Sequence, residues 1–253
     1  MKRFAIVLVI AAIGLVLVGS IPFYREKTTA QLFFRVGFPD VIDPLKSYEV
    51  SVQVRNQGGD ADNVEPILTS DSVVISGTKS TTVREGEEVT MKIVINGRKD
   101  LQYGGKTAEV KLRYKDGSGD HETASTQVSF YLLPAVELFE VGWKPEGLQI
   151  FGKGTIGKTD KTELHFRVHS RGEQVIYAGL SAKIQCSTSV PGLSLSPTSM
   201  LIERIGPDGR TGQYSVSITS SSSPPGKYMI DIVLVTPEGY VITKQSAELT
   251  ISG

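Results

Sequence analysis

The sequence is poor in the residues that most often build catalytic and metal centres. It has one cysteine, three histidines, one tryptophan and four methionines in 253 residues. A single cysteine excludes an internal disulfide framework and a cysteine-based zinc site. Basic and acidic residues both number 27, so no excess of positive charge points to nucleic acid. No G-x-S-x-G elbow and no phosphate loop occurs. Asn56, Asn63 and Asn96 all lack a Ser or Thr two places on, so the usual N-glycosylation sequon is absent. What is present is 40% apolar and 21% charged residues, a composition that can bury a core. The 26 glycines, with abundant Ser and Thr, suit a turn-rich all-β chain. The length fits two domains of about 100–125 residues.

The N-terminus is different. Lys2 and Arg3 precede an uncharged run from Phe4 to Tyr24, apolar enough through Phe23 to span a bilayer as a helix. The positive start predicts a cytoplasmic N-terminus and export of all that follows. A cleaved signal peptide, cut near Val18-Gly19-Ser20, is the alternative. Pro22 just downstream and the lack of an A-x-A site favour an uncleaved signal-anchor. The segment also resembles a type IV pilin leader, but it lacks the small residue after the basic pair and the early glutamate. The expected location is the cell membrane, single-pass, with extracytoplasmic domains.

Beyond Tyr24, alternation of period two replaces helical periodicity. Val50, Val52 and Val54 alternate with Ser51, Gln53 and Arg55. Val89, Met91, Ile93 and Ile95 form a second inward set; Ala108, Val110, Leu112 and Tyr114 form a third. Ala124, Thr126, Val128, Phe130 and Leu132 close the first half. In the second half the inward sets run through Leu164, Phe166 and Val168; Ile176, Ala178, Leu180, Ala182, Ile184 and Cys186; Tyr214, Val216 and Ile218; Tyr228, Ile230, Ile232 and Leu234; and Ala247, Leu249 and Ile251. One dry and one wet face is the pattern of packed antiparallel sheets. The halves also align: residues 52–58 match 166–172, and Gly105-Lys106 with its strand matches Gly226-Lys227. The expectation is an all-β chain of two tandem immunoglobulin-like β-sandwiches behind one transmembrane helix. Residues 1–30 form the anchor and juxtamembrane segment, 31–133 the first sandwich and 134–253 the second, divided near Leu133-Pro134.

Val52 through Val64, carrying Asn56, Gly58, Ala61 and Asn63, is similar to the immunoglobulin-like repeats of archaeal and bacterial cell-surface proteins. These are the CARDB-type or archaeal S-layer-like domains. Pro224-Pro225-Gly226-Lys227-Tyr228 and the Tyr114 to Gly119 hairpin add to the resemblance. The second copy departs at Ser170, where the family asparagine is replaced. The resemblance implies a surface-exposed structural or adhesive module and brings no catalytic residues.

Candidate chemistry is sparse. His165 and His169 share one face of a strand with Arg167 between them, so they read as exposed residues rather than metal ligands. His121, beside Asp120 and Glu122, reads as an exposed turn residue. Asp60, Asp62 and Asn63 supply too few oxygens for calcium. Glu85, Glu87 and Glu88 read as a polar turn entering a strand, Cys186 as a buried small hydrophobe and Thr219 to Ser223 as a loop. No catalytic residue, cofactor, metal or small-molecule substrate is expected. Inward positions look wholly apolar or small. Trp143, Phe151 and Tyr177 are the outward aromatics expected to serve any glycan platform.

Three functions fit: a membrane-tethered scaffold or adhesion protein, an accessory subunit of a larger membrane complex, or a secreted glycan-binding or hydrolytic module. The first is preferred, with residues 4–23 in the membrane and a protein partner, or a second copy, at the surface. Edge strands accept added strands. The most apolar candidate is the segment holding Leu32, Phe33, Phe34 and Val36, although it also suits completion of its own sandwich.

Overall fold

The computed structural model describes residues 29–144, 150–151, 153–157 and 160–253. The expected anchor at 4–23 lies outside the described residues. Among those described, all regular structure is strand, and no helix is long and apolar enough to cross a membrane.

Ten strands come from the first half. They are β1 (Leu32–Gly37), β2 (Val41–Ile42), β3 (Ser47–Asn56), β4 (Ala61–Thr69), β5 (Val73–Gly77), β6 (Thr81–Val83), β7 (Glu88–Gly97), β8 (Gly104–Asp116), β9 (Gly119–Glu122) and β10 (Thr126–Leu132). They form one sheet in the order β1-β3-β7-β5 and another in the order β2-β10-β8-β4-β6, with β9 as a hairpin on β8. The inward valines of β3 are fully buried, as are Ile93 and Ile95 of β7 and Val110 and Leu112 of β8. These residues join one core between the two sheets. Each such aliphatic contributes about 1.5–3 kcal/mol relative to exposure.

The second half repeats the plan. Its strands are β11 (Val136–Lys144), β12 (Ile150–Phe151), β13 (Lys153–Ile156), β14 (Lys161–Ser170), β15 (Ser181–Cys186), β16 (Leu193–Ser196), β17 (Ser199–Leu201), β18 (Tyr214–Ser220), β19 (Gly226–Val235) and β20 (Val241–Ile251). The sheet orders are β12-β11-β14-β18-β16 and β13-β20-β19-β15-β17. Apart from β9 and β12, each strand has a counterpart in the other half. The parallel pairing of β2 with β10 recurs as β13 with β20. Leu133, Pro134 and Ala135 are all that separate β10 from β11. Leu133 N–H bonds the Ile42 carbonyl, while Arg171 N–H bonds the Ala135 carbonyl.

The halves touch through tyrosines. Tyr131 stacks on Tyr240 at 4.0 Å between ring centroids and donates to Glu238 at 2.6 Å. Tyr103 donates to the Ala178 carbonyl, and Tyr177 to that of Lys99. Tyr103, Val41 and Leu45 pack against the second core, which extends it across the boundary.

Several expectations are corrected. Tyr177, expected outward, is 1% exposed, whereas Ile176, expected inward, is 46% exposed. Gly179 at φ +77° resets the alternation before β15 begins, so the residues ahead of it run in opposite phase. Trp143 is also buried; the register of β11 slips between Phe139 and Gly142, with Glu140 at φ +50°, and this turns the indole inward. The side chain of Phe151 lies outside the described residues. Ala124 falls in the turn before β10. Cys186 is half-buried at the rim of the second core rather than within it. The interior is not wholly apolar: Asn56, Asp43, Ser170, Thr211 and Asp231 are buried.

Candidate functional site

The segment Leu32, Phe33, Phe34 and Val36 forms β1, the outer strand of its sheet. It pairs antiparallel with β3, Leu32 opposite Asn56 through Gly37 opposite Ser51. Leu32, Phe34 and Val36 pack against the first core, so the segment completes its own sandwich. Phe33 points the other way and is 56% exposed. Gln57 N–H donates to the Gln31 carbonyl. By antiparallel alternation, Phe33 and Arg35 then turn their backbone groups toward β3, and Leu32, Phe34 and Val36 turn theirs to the open edge. A shallow cavity of about 500 Å3 beside β1 is lined by Phe33, Arg35, Gln53, Arg55, Gln57 and Glu88.

The chain enters this strand through a clamp. Ala30 N–H donates to Asp116 Oδ2 at 3.0 Å, and Gly59 N–H donates to the Thr29 carbonyl. A Cβ on Gly58 would lie 2.2 Å from the Thr29 oxygen, so the approach requires glycine. Asp116 Oδ1 accepts from Ser118 N–H, Ser118 Oγ and His121. The Ser118 hydrogen bonds hold the Asp116 carboxyl well below the usual carboxylate range.

His121 is therefore half-buried and partnered, not a free turn residue. Its Nε2 lies 2.9 Å from Ser118 Oγ and 3.0 Å from Asp116 Oδ1. One nitrogen serves both neighbours. A nucleophilic triad needs the carboxylate on Nδ1 and the hydroxyl on Nε2, so this cluster is a hairpin lock.

His165 and His169, expected to be exposed, are 5% and 8% exposed. They lie on β14, whose neighbours rise over them. Glu137 of β11 is 3.4 Å from His169, and the Phe139 ring lies 5.9 Å from the His169 ring. Glu163 is 3.6 Å from His165. Arg210 sits over Phe139 and Arg171 pairs with Glu137. Among the described residues, no group of three His, Cys, Asp or Glu side chains could hold a metal.

The acidic loops have local partners. Asp60 accepts from Glu85 N–H and holds the turn before β7, while Asp62 accepts from the Thr82 hydroxyl and ties β4 to β6. Ser221, in the serine-rich stretch, is tied to Gly192, and Ser223 is buried. Asp231, on an outward position, is 2% exposed beneath Ser187, Ser246 and Lys244. Burial alone would raise its pKa, but the hydrogen bonds from Lys244 and the two serines outweigh it and leave the carboxyl lowered.

A cavity of about 810 Å3 lies where the halves meet, lined by Asp40, Asp71, Lys106, Ser129, Tyr131 and Tyr240 among others. Burial and then Glu238 push the Tyr131 phenol upward, so the ring stays neutral and its proton stays on the Glu238 bond. A third cavity, of about 530 Å3, opens beside β7. No feature of the sequence pointed to it, because it depends on where β5 stops.

No family model and no curated protein matches the chain. Among solved structures, red sea bream transglutaminase is 12% identical, covering 88% of this chain and 31% of its own, with a TM-score of 0.41. This chain thus spans under a third of that enzyme. The YadV chaperone is 11% identical over 87% of this chain and 99% of its own, with a TM-score of 0.29. The D00-D0 domain of intimin is 12% identical over 88% of this chain and 100% of its own, with a TM-score of 0.28.

Proposed function

We propose that the chain is a membrane-anchored, extracytoplasmic protein-interaction module without catalytic activity, built from two immunoglobulin-like sandwiches of the surface-repeat type. The sheet orders support the immunoglobulin reading. β1-β3-β7-β5 follows the A-B-E-D order and β10-β8-β4 the G-F-C order, and the second half repeats both. The observation that carries the functional reading is β1. It is an outer strand with an open edge, and Phe33 stands 56% exposed on it, between Arg35 on the same face and Arg55 on the paired strand. A partner strand added there gains backbone hydrogen bonds along the edge and an aromatic anchor on the face.

Two experiments test it. Alkaline extraction and external protease digestion test the anchor; soluble protein in the medium with a mature N-terminus at Ile21 overturns it. Detergent pull-down with mass spectrometry, on wild type and Phe33→Lys, tests the edge. A partner lost only from the variant supports the reading, and a partner held equally by both removes β1 from it.

A further inference from the structure

The strand β7 is covered unequally on its two sides. β3 pairs with it from Asn96 to Glu88. β5 covers it only from Gly97 to Val94, and the chain then crosses through Thr78, Lys79 and Ser80 to join the other sheet as β6. Among the described residues, no strand pairs with β7 opposite Thr90 to Lys92 on that side.

The backbone alternation there can be read from two bonds. Asn56 N–H donates to the Glu87 carbonyl, so Glu87, Val89, Met91 and Ile93 turn their backbone groups toward β3. Thr90, Lys92 and Val94 turn theirs the other way. The Val94 carbonyl accepts from Ser76 Oγ, which agrees. Thr90 and Lys92 thus present their N–H and C=O groups to the gap beyond the end of β5. The cavity of about 530 Å3 occupies that space, walled by Gly77 to Thr81, with Met91 and Val89 beneath. At the wall, Thr78 Oγ1 is buried without a hydrogen-bond partner among the described residues. Lys79 makes no ion pair among them, while Lys92 reaches Glu49 at 2.7 Å.

We propose that this slot in the first sandwich receives an extended segment of a partner protein, paired to Thr90 and Lys92, with an apolar side chain opposite Met91 and acidic side chains opposite Thr90 and Lys92. The inference rests on the protein-interaction reading and places a second docking edge away from β1. Pairing fixes the alternation of the guest. Its residue opposite Met91 shares the inward face and enters the cavity, and its neighbours share the outward face with Lys92. Lys79, without an ion pair among the described residues, makes a carboxylate the favoured charge, while Lys92 shares its charge with Glu49. A basic segment is disfavoured by Lys79.

The test uses the full-length chain in detergent and the labelled peptide Asp-Val-Asp-Val-Asp-Val-Asp, read by fluorescence anisotropy. Micromolar binding is expected at low salt. The Lys-Val counterpart binds about tenfold or more weakly. Thr90→Pro weakens the acidic peptide about tenfold, because it removes an N–H aimed into the slot and bars a new ladder. That N–H serves no bond among the described residues, so the melting temperature stays near wild type. Lys79→Glu, outside every strand, reverses the charge preference and decides the matter if T90P fails to fold. No binding, or binding indifferent to both variants, overturns the slot. The same variants in the detergent pull-down separate the two readings. A partner held equally by wild type and T90P leaves the interaction reading standing and moves it off this edge. Peptide bound at the slot with no cellular partner on either chain does the reverse.

Discussion

Asn56 Oδ1 accepts the N–H of Gly58 at 3.0 Å, and Ser170 Oγ accepts the N–H of Gly172 at 3.2 Å. The two residues end equivalent strands, β3 and β14, and both are wholly buried. The second half has thus replaced the asparagine and kept the turn. Asn56 does more, however. It also donates to the carbonyls of Gly59 and Val83 and accepts from Gln31 N–H. Replacement of Asn56 by Ala is therefore expected to cost about 3 kcal/mol and Ser170→Ala about 1 kcal/mol. Urea unfolding of each variant, followed by intrinsic fluorescence and circular dichroism, measures the difference.

Charge in either core is expected to unfold the sandwich that holds it. Val52 and Ile232 are fully buried in separate clusters. Val52→Asp and Ile232→Asp each cost several kcal/mol, about 3–5, because the carboxylate finds no partner. Limited proteolysis should cut the first half in one variant and the second half in the other.

The tyrosine junction predicts coupled unfolding. Tyr131 joins the second core, stacks on Tyr240 and bonds Glu238, although its strand belongs to the first half. Wild type should melt in one calorimetric transition. Tyr131→Ala should separate it into two, while Tyr131→Phe, which loses only the hydrogen bond, lowers stability by about 1 kcal/mol and keeps one transition.

Acid should loosen the clamp at Ala30. The folded-state pKa of Asp116 is depressed, by the Ser118 bonds first. Its contribution to stability is present above the ordinary aspartate value of about 3.9 and is lost as pH falls through the lowered folded value. Between the two, the unfolded state binds more protons, so stability rises with pH. Wild type is expected to lose stability below about pH 4, and Asp116→Asn to show a flatter acid limb from a lower plateau. Urea midpoints across that range provide the check.

Neighbouring phenylalanines should respond differently to charge. Phe33 is exposed on β1, whereas Phe34 packs against the first core. Phe33→Lys should leave the melting temperature nearly unchanged, within about 0.5 kcal/mol. Phe34→Lys should destabilise the first sandwich by about 2 kcal/mol or more. Thermal melts compared with partner capture separate the surface role from the core role.

The strands were readable where alternation was strict. Val50, Val52 and Val54, or Ile230, Ile232 and Leu234, need only period two and a wet opposite face. The sequence misled where a local event changed the phase. Gly179 exchanged the roles of Ile176 and Tyr177, and the slip at Glu140 buried Trp143. It also misled where a neighbouring strand covered an outward position. His165 and His169 alternate as surface residues but are both buried; over His169, Glu137 and Phe139 approach from β11, which no single-strand pattern reveals. The β1 segment was legible as an apolar strand, and only pairing decided that Phe33 alone faces out. The slot beside Thr90 was not legible at all, because it arises from the difference in length between β5 and β7.

The clamp at Thr29 and Ala30 also decides where tension enters the molecule. A pull on the preceding chain first loads the Asp116 and Gly59 bonds, then the ladder between β1 and β3. That ladder runs lengthwise through six residue pairs, and at the other terminus β20 lies along both β13 and β19. A force directed along either strand meets these hydrogen bonds together, in shear, rather than opening them singly from one end. A chain tethered to a surface and held by a partner would carry traction through its outermost strands before either core is disturbed.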